Sequence, residues 1–335
     1  MMPRKEVIRL LLGKWSEFGP GFRMEGDRLV SLNSQWALAQ LEQNSMDMLA
    51  LSACQVDDQL SSLLSINLLR EQAFQLALAQ EADHIFELLA HEKIEAVLLK
   101  GLSLQPYYPE DCLRPSYDVD LLVHPQHKQK CFFLFEASGY IPVDAAHLER
   151  RMVEHGELEW VNPRTKMVIE CHWDLINSPS LRRSINFDPD IIFARLEKQN
   201  LEPLSHPVTV LAPAMALAYL MCHHVLHHQF RGLLWLSDVL LVLTSGHVDW
   251  KDFKTIVREL KVEHPVYYYM TALKSLFGPR LDSYLSQLKN ISVPRSIAYS
   301  LFSRFNPPES IFKHRPILGK LKDQLFRNSF KSRPI

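Results

Sequence analysis

The segment Asp118–Val123 constrains the fold of this chain more than any other feature. Its sequence, Asp-Val-Asp-Leu-Leu-Val, alternates acidic and apolar residues and is followed closely by Pro125. Successive side chains of a β-strand point to opposite faces, so Asp118 and Asp120 share one face. The apolar residues that follow them predict a strand that is largely buried in a sheet.

Two carboxylates on one face of a buried strand repel each other and are costly to bury unpaired. A shared cation removes that cost, and Mg²⁺ is typically held by one or two protein carboxylates together with substrate phosphates. Neighbouring carboxylates can also hold two ions for in-line phosphoryl transfer. Alternatively, Asp118 and Asp120 are solvated on an exposed polar face, and the two interpretations stay open at this point.

A second predicted strand, Met167–Trp173, also carries a carboxylate among apolar residues. Val168, Glu170 and His172 share one of its faces. A buried glutamate requires a partner. If this strand lies beside the first, Glu170 becomes a third metal ligand or the base that accepts the proton of the attacking group.

Upstream, a short apolar strand at Ala96–Leu99 ends in Lys100 and Gly101. Glycine allows close approach of the backbone to a phosphate, and the hydroxyl of Ser103 could add a further contact. Arg114 is suited to a bidentate phosphate contact. The alternative is that Lys100 and Arg114 are structural salt-bridge partners of the acidic cluster.

Helical patterns lie on both sides of this mixed region. Residues 36–91 repeat apolar side chains at three- and four-residue steps and predict two helices separated near residues 54–58. Further helices are predicted at Gln126–Ser138, Asp190–Lys198, Pro213–His228, Leu233–Ser245, Trp250–Lys261 and His264–Leu276. A hairpin is predicted from Glu157–Val161 and Met167–Trp173. We therefore predict an N-terminal helical segment (1–93), an α/β core (94–200) and a C-terminal helical domain with a basic tail (201–335).

Three short motifs carry a resemblance to a known family. They are Lys100-Gly101, then Arg114-x-x-x-Asp118-Val119-Asp120, then Glu170-x-His172-Trp173. Together they resemble the bacterial uncharacterised nucleotidyltransferase group of the DNA-polymerase-β-like superfamily. The similarity extends over about residues 98–243, since His224 and His228 precede a Trp235-x-x-Asp238 pattern that is similar to one in that group.

The resemblance implies an α+β fold, with a small mixed β-sheet as the nucleotidyltransferase core between N-terminal helices and a C-terminal helical domain. It also implies transfer of a nucleoside monophosphate from an NTP to an unidentified acceptor, which could be a small molecule, a protein or a nucleic acid. Mg²⁺, as two ions, is the implied cofactor, with Mn²⁺ as the alternative.

The same resemblance implies roles for individual residues. Asp118, Asp120 and Glu170 would be the catalytic residues and the metal ligands, and Lys100 and Arg114 would stabilise charge on the leaving group. The substrate-binding set would be Lys100, Gly101, Ser103, Arg114 and His172. The chain departs from the superfamily at Leu102, where the usual residue is Gly or Ser, and in the longer spacing from Gly101 to Asp118.

Four histidines cluster at positions 223, 224, 227 and 228. No HExxH pattern is present, so polar packing is favoured over a zinc site. His224, His228 and Asp238 could support the active site without binding the metal. Two rival functions stay open: a catalytically degenerate interaction protein, motivated by Leu102, and a metal-dependent phosphohydrolase that uses His224 and His228.

Composition excludes several other classes. The five cysteines include no CxxC pair, which argues against a disulfide framework and a cysteine-type zinc site and favours the cytoplasm. No apolar run reaches the ~18–20 residues of a membrane span, and Glu6 and Arg9 interrupt the N-terminal apolar stretch, which argues against a signal peptide. The net charge of −1 excludes a whole-chain polycation. The basic tail after Arg304 could still contact an anionic partner.

Overall fold

Tertiary contacts divide the computed structural model into two units. The structure describes residues 1–145, 152–176, 179–182, 185–288 and 311–312. One unit comprises Met1–Leu68 together with the described residues from Leu217 onward, and the other comprises the described residues of Leu69–Ala216. Apart from residues 311–312, the predicted basic tail after Arg304 lies outside the described residues.

The first unit combines helices with a small sheet. Its helices are α1 (Arg4–Ser16), α2 (Ser34–Gln43), α3 (Asp47–Ala53), the first part of α4 (Asp58–His91), most of α8 (Pro213–Leu226), α9 (Leu233–Thr244), α10 (Trp250–Glu259), α11 (Glu263–Phe277) and α12 (Asp282–Leu285). Its sheet has the order β1 (Phe22–Glu25), β2 (Arg28–Ser31) and β3 (Gln55–Val56). These three strands were not predicted, because each has four residues or fewer and lacks a clear alternating pattern.

The second unit is built on a seven-stranded mixed sheet. The strands are β4 (Ala96–Leu98), β5 (Asp118–Val123), β6 (Ile141–Pro142), β7 (Glu157–Val161), β8 (Val168–His172), β9 (Leu196–Gln199) and β10 (Val208–Leu211). Their order is β6-β7-β8-β5-β4-β10-β9, with β5 parallel to β8, β4 parallel to β10, and antiparallel pairing elsewhere. The helices are the second part of α4, α5 (Lys128–Ala137), α6 (Pro179–Arg182) and α7 (Pro189–Phe193), and a 3₁₀ helix at Gly101–Tyr107 follows β4.

The two faces of this sheet differ in chemistry because its central strands alternate. Val119, Leu121 and Val123 of β5 enter a buried apolar core that includes residues of α4 and α5. Glu157, Glu159, Glu170 and His172 alternate with apolar residues of β7 and β8, and Leu158, Trp160, Ile169 and Cys171 join the same core. The acidic residues of β5, β7 and β8 therefore share the opposite face.

A buried carboxylate ties α4 to the turn of the β7–β8 hairpin. Glu81 of α4 is 5% exposed and accepts hydrogen bonds from the hydroxyl of Tyr140, the amide of Asn162 (2.8 Å) and the hydroxyl of Thr165 (2.9 Å). These partners meet the requirement of a buried carboxylate for hydrogen-bond donors. The contacts join a helix to a hairpin that lies about eighty residues away along the chain.

The mixed α+β fold predicted from the sequence is confirmed, and several of its elements have the predicted bounds. Strand β5 begins and ends as predicted at Asp118 and Val123, and β7 as predicted at Glu157 and Val161. The predicted helix Asp190–Lys198 is wrong in its second half. There the chain leaves α7 at Phe193 and forms β9, which pairs antiparallel with β10 at the sheet edge. Long-range pairing overrides the local helical pattern at this position.

The two contact-based units have bounds that differ from the three predicted segments. The second part of α4, before the predicted boundary at residue 93, contributes Leu78, Ala82 and Ile85 to the core of the sheet. Strand β10 lies beyond the predicted boundary at residue 200 and pairs with β4. Within the described ranges, none of the helices combines the length and apolar character that crossing a bilayer requires.

Candidate active site

The candidate site lies on the polar face of the seven-stranded sheet, where β5 and β8 run side by side. Asp120 and Glu170 are direct partners in the parallel register of these strands. The sequence predicts that both residues lie on strands among apolar neighbours, and the structure brings the two strands together. Asp120 is 2% exposed, so its carboxylate depends on protein groups for its neutralisation.

Two cations lie against this carboxylate pair. The Lys100 ammonium is 2.8 Å from Asp120 Oδ1 and 3.2 Å from Glu170 Oε2. His172 Nε2 is 3.4 Å from the same oxygen of Asp120 and 3.2 Å from the same oxygen of Glu170. A buried pair of carboxylates is therefore balanced by one lysine and one histidine, which fits the general rule that buried charges are paired.

These contacts shift the pKa values in opposite directions. Burial raises the pKa of Asp120 to about 7, although the charge of Lys100 opposes the rise. Burial also acts to raise the pKa of Glu170, but the charges of His172 and Lys100 outweigh it and hold that pKa well below its usual range. For His172, burial acts to lower the pKa, yet Glu170 and the hydrogen bond with Asp120 outweigh it and raise the pKa to about 10.

Glu157 belongs to the site although the sequence analysis did not assign it a role. It is the register partner of His172 in the antiparallel β7–β8 pair, and its Oε2 lies 3.2 Å from His172 Nδ1. Glu159 is the register partner of Glu170 in the same pair. The spacing Glu157-x-Glu159 on a predicted strand repeats the Asp118-x-Asp120 pattern, and this is the signal that could have identified them.

Asp118 lies on the same strand face as Asp120 and is half-buried. Its negative charge adds to burial in raising the pKa of Asp120. The group of side chains with ligand atoms within 4.8 Å of one another comprises Asp120, Glu170 and His172. Asp118 is outside this group, and its predicted role as a metal ligand stays a prediction.

The turn after β4 places Gly101 where only glycine fits. Gly101 has φ of +64°, and a Cβ atom there would lie 2.4 Å from the hydroxyl oxygen of Ser116. Leu102, the departure from the superfamily pattern, is buried in the apolar core of the unit. The side chain at this position therefore contributes to core packing.

Ser103 and Arg114 both have hydrogen bonds within the chain. The Ser103 hydroxyl donates to the carbonyl of Leu99. Arg114 is 5% exposed, and its Nη1 donates to the carbonyl of Pro115 at 2.6 Å. Their predicted roles in substrate binding stay predictions.

The histidine cluster belongs to the other unit, the one that contains residues 217 onward. His224 Nε2 lies 2.9 Å from the carbonyl of Arg231, and its Nδ1 lies 2.7 Å from the hydroxyl of Tyr269. Because a carbonyl only accepts, Nε2 carries the proton and Nδ1 accepts from the tyrosine. Burial lowers the pKa of His224 to about 3, so its ring is neutral near pH 7.

His228 packs on an aromatic ring in the same unit. It stacks on Trp235 with ring centroids 3.4 Å apart, and its Nε2 lies 2.9 Å from Nε2 of His223. Within the described residues, no group of three metal-binding side chains includes His224 or His228. Both ring nitrogens of His224 form hydrogen bonds within the chain, which gives no support to a hydrolase that uses this residue. The predicted supporting roles of His224, His228 and Asp238 stay predictions.

Comparison with known proteins adds a family to this geometry. The sequence model of a family described as uncharacterised nucleotidyltransferases matches residues 37–278. Among solved structures, an antigenic nucleotidyltransferase-like protein from Paracoccidioides brasiliensis is 14% identical, with 63% of this chain and 92% of that chain covered and a TM-score of 0.38. A likeness of this extent carries no argument about activity. No curated protein matches the sequence.

Proposed function

Because the chain belongs to the family of uncharacterised nucleotidyltransferases, we propose that it transfers a nucleoside monophosphate from an NTP to the hydroxyl of an acceptor. The observation that carries this proposal is the direct pairing of Asp120 with Glu170 on neighbouring strands. Lys100 and His172 balance these buried carboxylates in the structure. A divalent ion, which nucleotidyl transfer needs, would take over part of that positive charge.

The donor set fits a divalent metal ion. Asp120, Glu170 and His172 offer ligand atoms within 4.8 Å of one another, and Asp118 lies on the same face of β5. A bound divalent ion would supply positive charge to the reacting phosphate and to the leaving pyrophosphate. Asp118, Asp120 and Glu170 are the residues that would hold it.

The chemistry proposed for the chain's own residues is positioning and charge neutralisation. The acceptor oxygen forms a bond to the α-phosphorus, and the bond from that phosphorus to pyrophosphate breaks. Glu170, kept ionised by His172 and Lys100, would complete the shell of the metal ion and so help ionise the attacking hydroxyl, whose proton passes to solvent. Lys100 and Arg114 would stabilise negative charge on the pyrophosphate.

Gly101 shapes the turn from which Lys100 would reach a phosphate. Its positive φ and the absence of a Cβ let the turn after β4 pass close to Ser116. Lys100, next to Gly101, reaches the carboxylates of β5 and β8 from this turn. A phosphate that approaches this turn would therefore meet the side chain of Lys100, while Gly101 itself is buried.

The test is NTP binding and turnover with divalent ions present. We expect the wild-type protein to bind a fluorescent ATP analogue only with Mg²⁺ or Mn²⁺, and the double variant Asp118→Asn/Asp120→Asn to lose this binding. Asp190→Asn is the matched control, because this substitution makes the same chemical change at an exposed position of the same unit. Metal-independent binding, or binding that survives in the double variant, would contradict the proposal.

Turnover separates the proposed enzyme from the degenerate alternative. With α-labelled NTPs and a panel of hydroxyl-bearing acceptors, the wild-type protein should release pyrophosphate and label one acceptor class. Metal-dependent NTP binding without pyrophosphate release would favour an interaction protein that keeps the fold. Release that depends on His224 and persists without Asp118 and Asp120 would favour the hydrolase.

A further inference from the structure

The metal-binding group of this chain contains a nitrogen donor as well as oxygen donors. His172 Nε2 faces the same two oxygens, Asp120 Oδ1 and Glu170 Oε2, at 3.4 and 3.2 Å. The imidazole is almost completely buried, so its orientation is set by the surrounding protein. A cation that binds both carboxylates would therefore lie within reach of an imidazole nitrogen.

The other ring nitrogen of His172 has a carboxylate beside it. Glu157 Oε2 lies 3.2 Å from Nδ1, and both side chains are largely buried. Histidines that bind metals commonly direct their second nitrogen at a carboxylate, which fixes the ring orientation and raises the basicity of the ligand. The register of the β7–β8 pair produces this proximity by placing Glu157 directly opposite His172. The contact is an ion pair, and Nδ1 makes no hydrogen bond with the described residues.

A nitrogen donor changes which ion the site prefers. Mg²⁺ is a hard ion that takes oxygen ligands and keeps several waters, whereas imidazole nitrogen suits transition metals such as Zn²⁺ and Fe²⁺. Mn²⁺ favours carboxylate oxygen but also binds imidazole, which matches a donor set of two carboxylates and one histidine. We propose that His172 is a metal ligand and that the site takes a first-row transition-metal dication, with Mn²⁺ as the ion to test, in preference to Mg²⁺. Glu157 is then a positioning residue. This inference deepens the proposed function and rests on it, because it concerns the ion that nucleotidyl transfer at this site would use.

Binding of the ion involves an exchange of cations at the site. For an ion to bind, the Lys100 ammonium would have to leave the oxygens of Asp120 and Glu170, and Nε2 of His172 would have to be free of its proton, as histidine ligation requires. The charge of the ion replaces the charges that leave, so the two buried carboxylates stay neutralised throughout.

The first experiment measures metal binding to the full chain without nucleotide. Calorimetric titrations give the dissociation constants for Mn²⁺ and Mg²⁺, and their ratio defines the selectivity. His172→Gln places an oxygen donor near the position of Nε2. We expect it to weaken Mn²⁺ binding by at least about tenfold and to leave Mg²⁺ binding within about twofold. An unchanged selectivity ratio would overturn the proposal.

A paired comparison on β7 tests Glu157. Glu157→Gln and Glu159→Gln each remove one negative charge from the same strand face, but Glu157 is the residue opposite His172. We expect Glu157→Gln to weaken Mn²⁺ binding about 10–100-fold, the usual effect of removing such a carboxylate, and Glu159→Gln to weaken it much less. Equal effects of the two variants would show that general electrostatics, rather than orientation of His172, is at work.

A spectroscopic measurement needs no variant. Electron spin echo modulation of Mn²⁺ bound to the wild-type protein detects a directly bound nitrogen, and its absence at full occupancy would overturn the assignment of His172. Failure here is distinguishable from failure of the proposed function. Nitrogen-ligated Mn²⁺ without NTP binding would refute the function and keep the metal site, whereas pyrophosphate release with a purely oxygen-ligated ion would do the reverse.

Discussion

Lys100 is the residue whose removal tests the electrostatics of the site most directly. Its ammonium lies 2.8 Å from Asp120 and 3.2 Å from Glu170, and its side chain is 13% exposed. Lys100→Met keeps the length and apolar stem of the side chain and removes the charge. The two carboxylates would then have only His172 as their cationic partner among the contacts described above.

The expected cost follows from these distances. At an effective dielectric constant of about 20, each of the two contacts contributes about 5–6 kcal/mol of gross attraction. Most of this is offset by the desolvation of the lysine, and breaking a buried ion pair usually costs about 3–5 kcal/mol in net stability. For a unit of this size the loss corresponds to a fall in Tm of roughly 8–16 °C.

The assay is thermal unfolding of the full chain with and without Mn²⁺. We expect Lys100→Met to lower Tm without metal and to recover more of it with Mn²⁺ than the wild-type protein gains. The recovery is expected because the ion supplies the missing charge and no longer competes with the ammonium. Lys130→Met is the matched control, since Lys130 forms a half-exposed pair with Glu92 that is screened by solvent.

Two results would refute this reasoning. If Lys100→Met unfolds at the temperature of the Lys130→Met control, the buried carboxylates do not depend on Lys100 for their neutralisation. If Mn²⁺ stabilises Lys100→Met no more than the wild-type protein, the oxygens that Lys100 contacts are not the oxygens that bind the metal.

Three further predictions concern stability. Since burial lowers the pKa of His224 to about 3, the unfolded chain binds a proton below pH 6.5 that the folded chain does not. The free energy of unfolding should therefore fall by about 2 kcal/mol more in the wild-type protein than in His224→Gln between pH 7.5 and pH 5. Urea titrations at the two pH values that give the same fall for both proteins would contradict this. Glu81→Gln should destabilise the protein by about 2–3 kcal/mol in urea titration, because three hydrogen bonds converge on that carboxylate. The control Glu87→Gln, at a 60% exposed pair with His206, should change the free energy of unfolding by less than about 0.5 kcal/mol. Equal effects of the two variants would show that the hydrogen-bond network is not stabilising. Gly101→Ala should lower the free energy of unfolding by about 1–3 kcal/mol, because of the positive φ and the clash with Ser116. Adding Ser116→Gly in a double variant should recover part of this loss. A fully stable Gly101→Ala protein would show that the turn is not constrained.

Local periodicity made the strands predictable. The alternation in Asp118–Val123 and in Glu157–Val161 identified β5 and β7 with their observed bounds. It also showed which side chains share a face, since that property depends only on the two-residue repeat of a strand. The family resemblance likewise depends on short motifs along the chain, and the family match over residues 37–278 confirms it.

Short or edge elements were less predictable. Strand β9 occupies part of a segment with a helical pattern, and it becomes a strand because β10 offers a free edge for pairing. The pairing partner lies in a different segment of the sequence, so no local signal contains it. The strands at Phe22–Glu25 and Arg28–Ser31 pair with each other, and they were missed because each is short and lacks a clear alternating pattern.

The sequence by itself determined that Asp118 and Asp120 share a strand face, that Glu170 and His172 do the same, and that a lysine precedes a glycine turn. Only the tertiary structure decided that Asp120 lies beside Glu170, that Lys100 contacts both, and that Glu157 lies against His172. The physical reason is that side-chain alternation is a local property of one strand. Register between strands about fifty residues apart is set instead by long-range hydrogen bonds and by burial of the shared apolar face against α4 and α5.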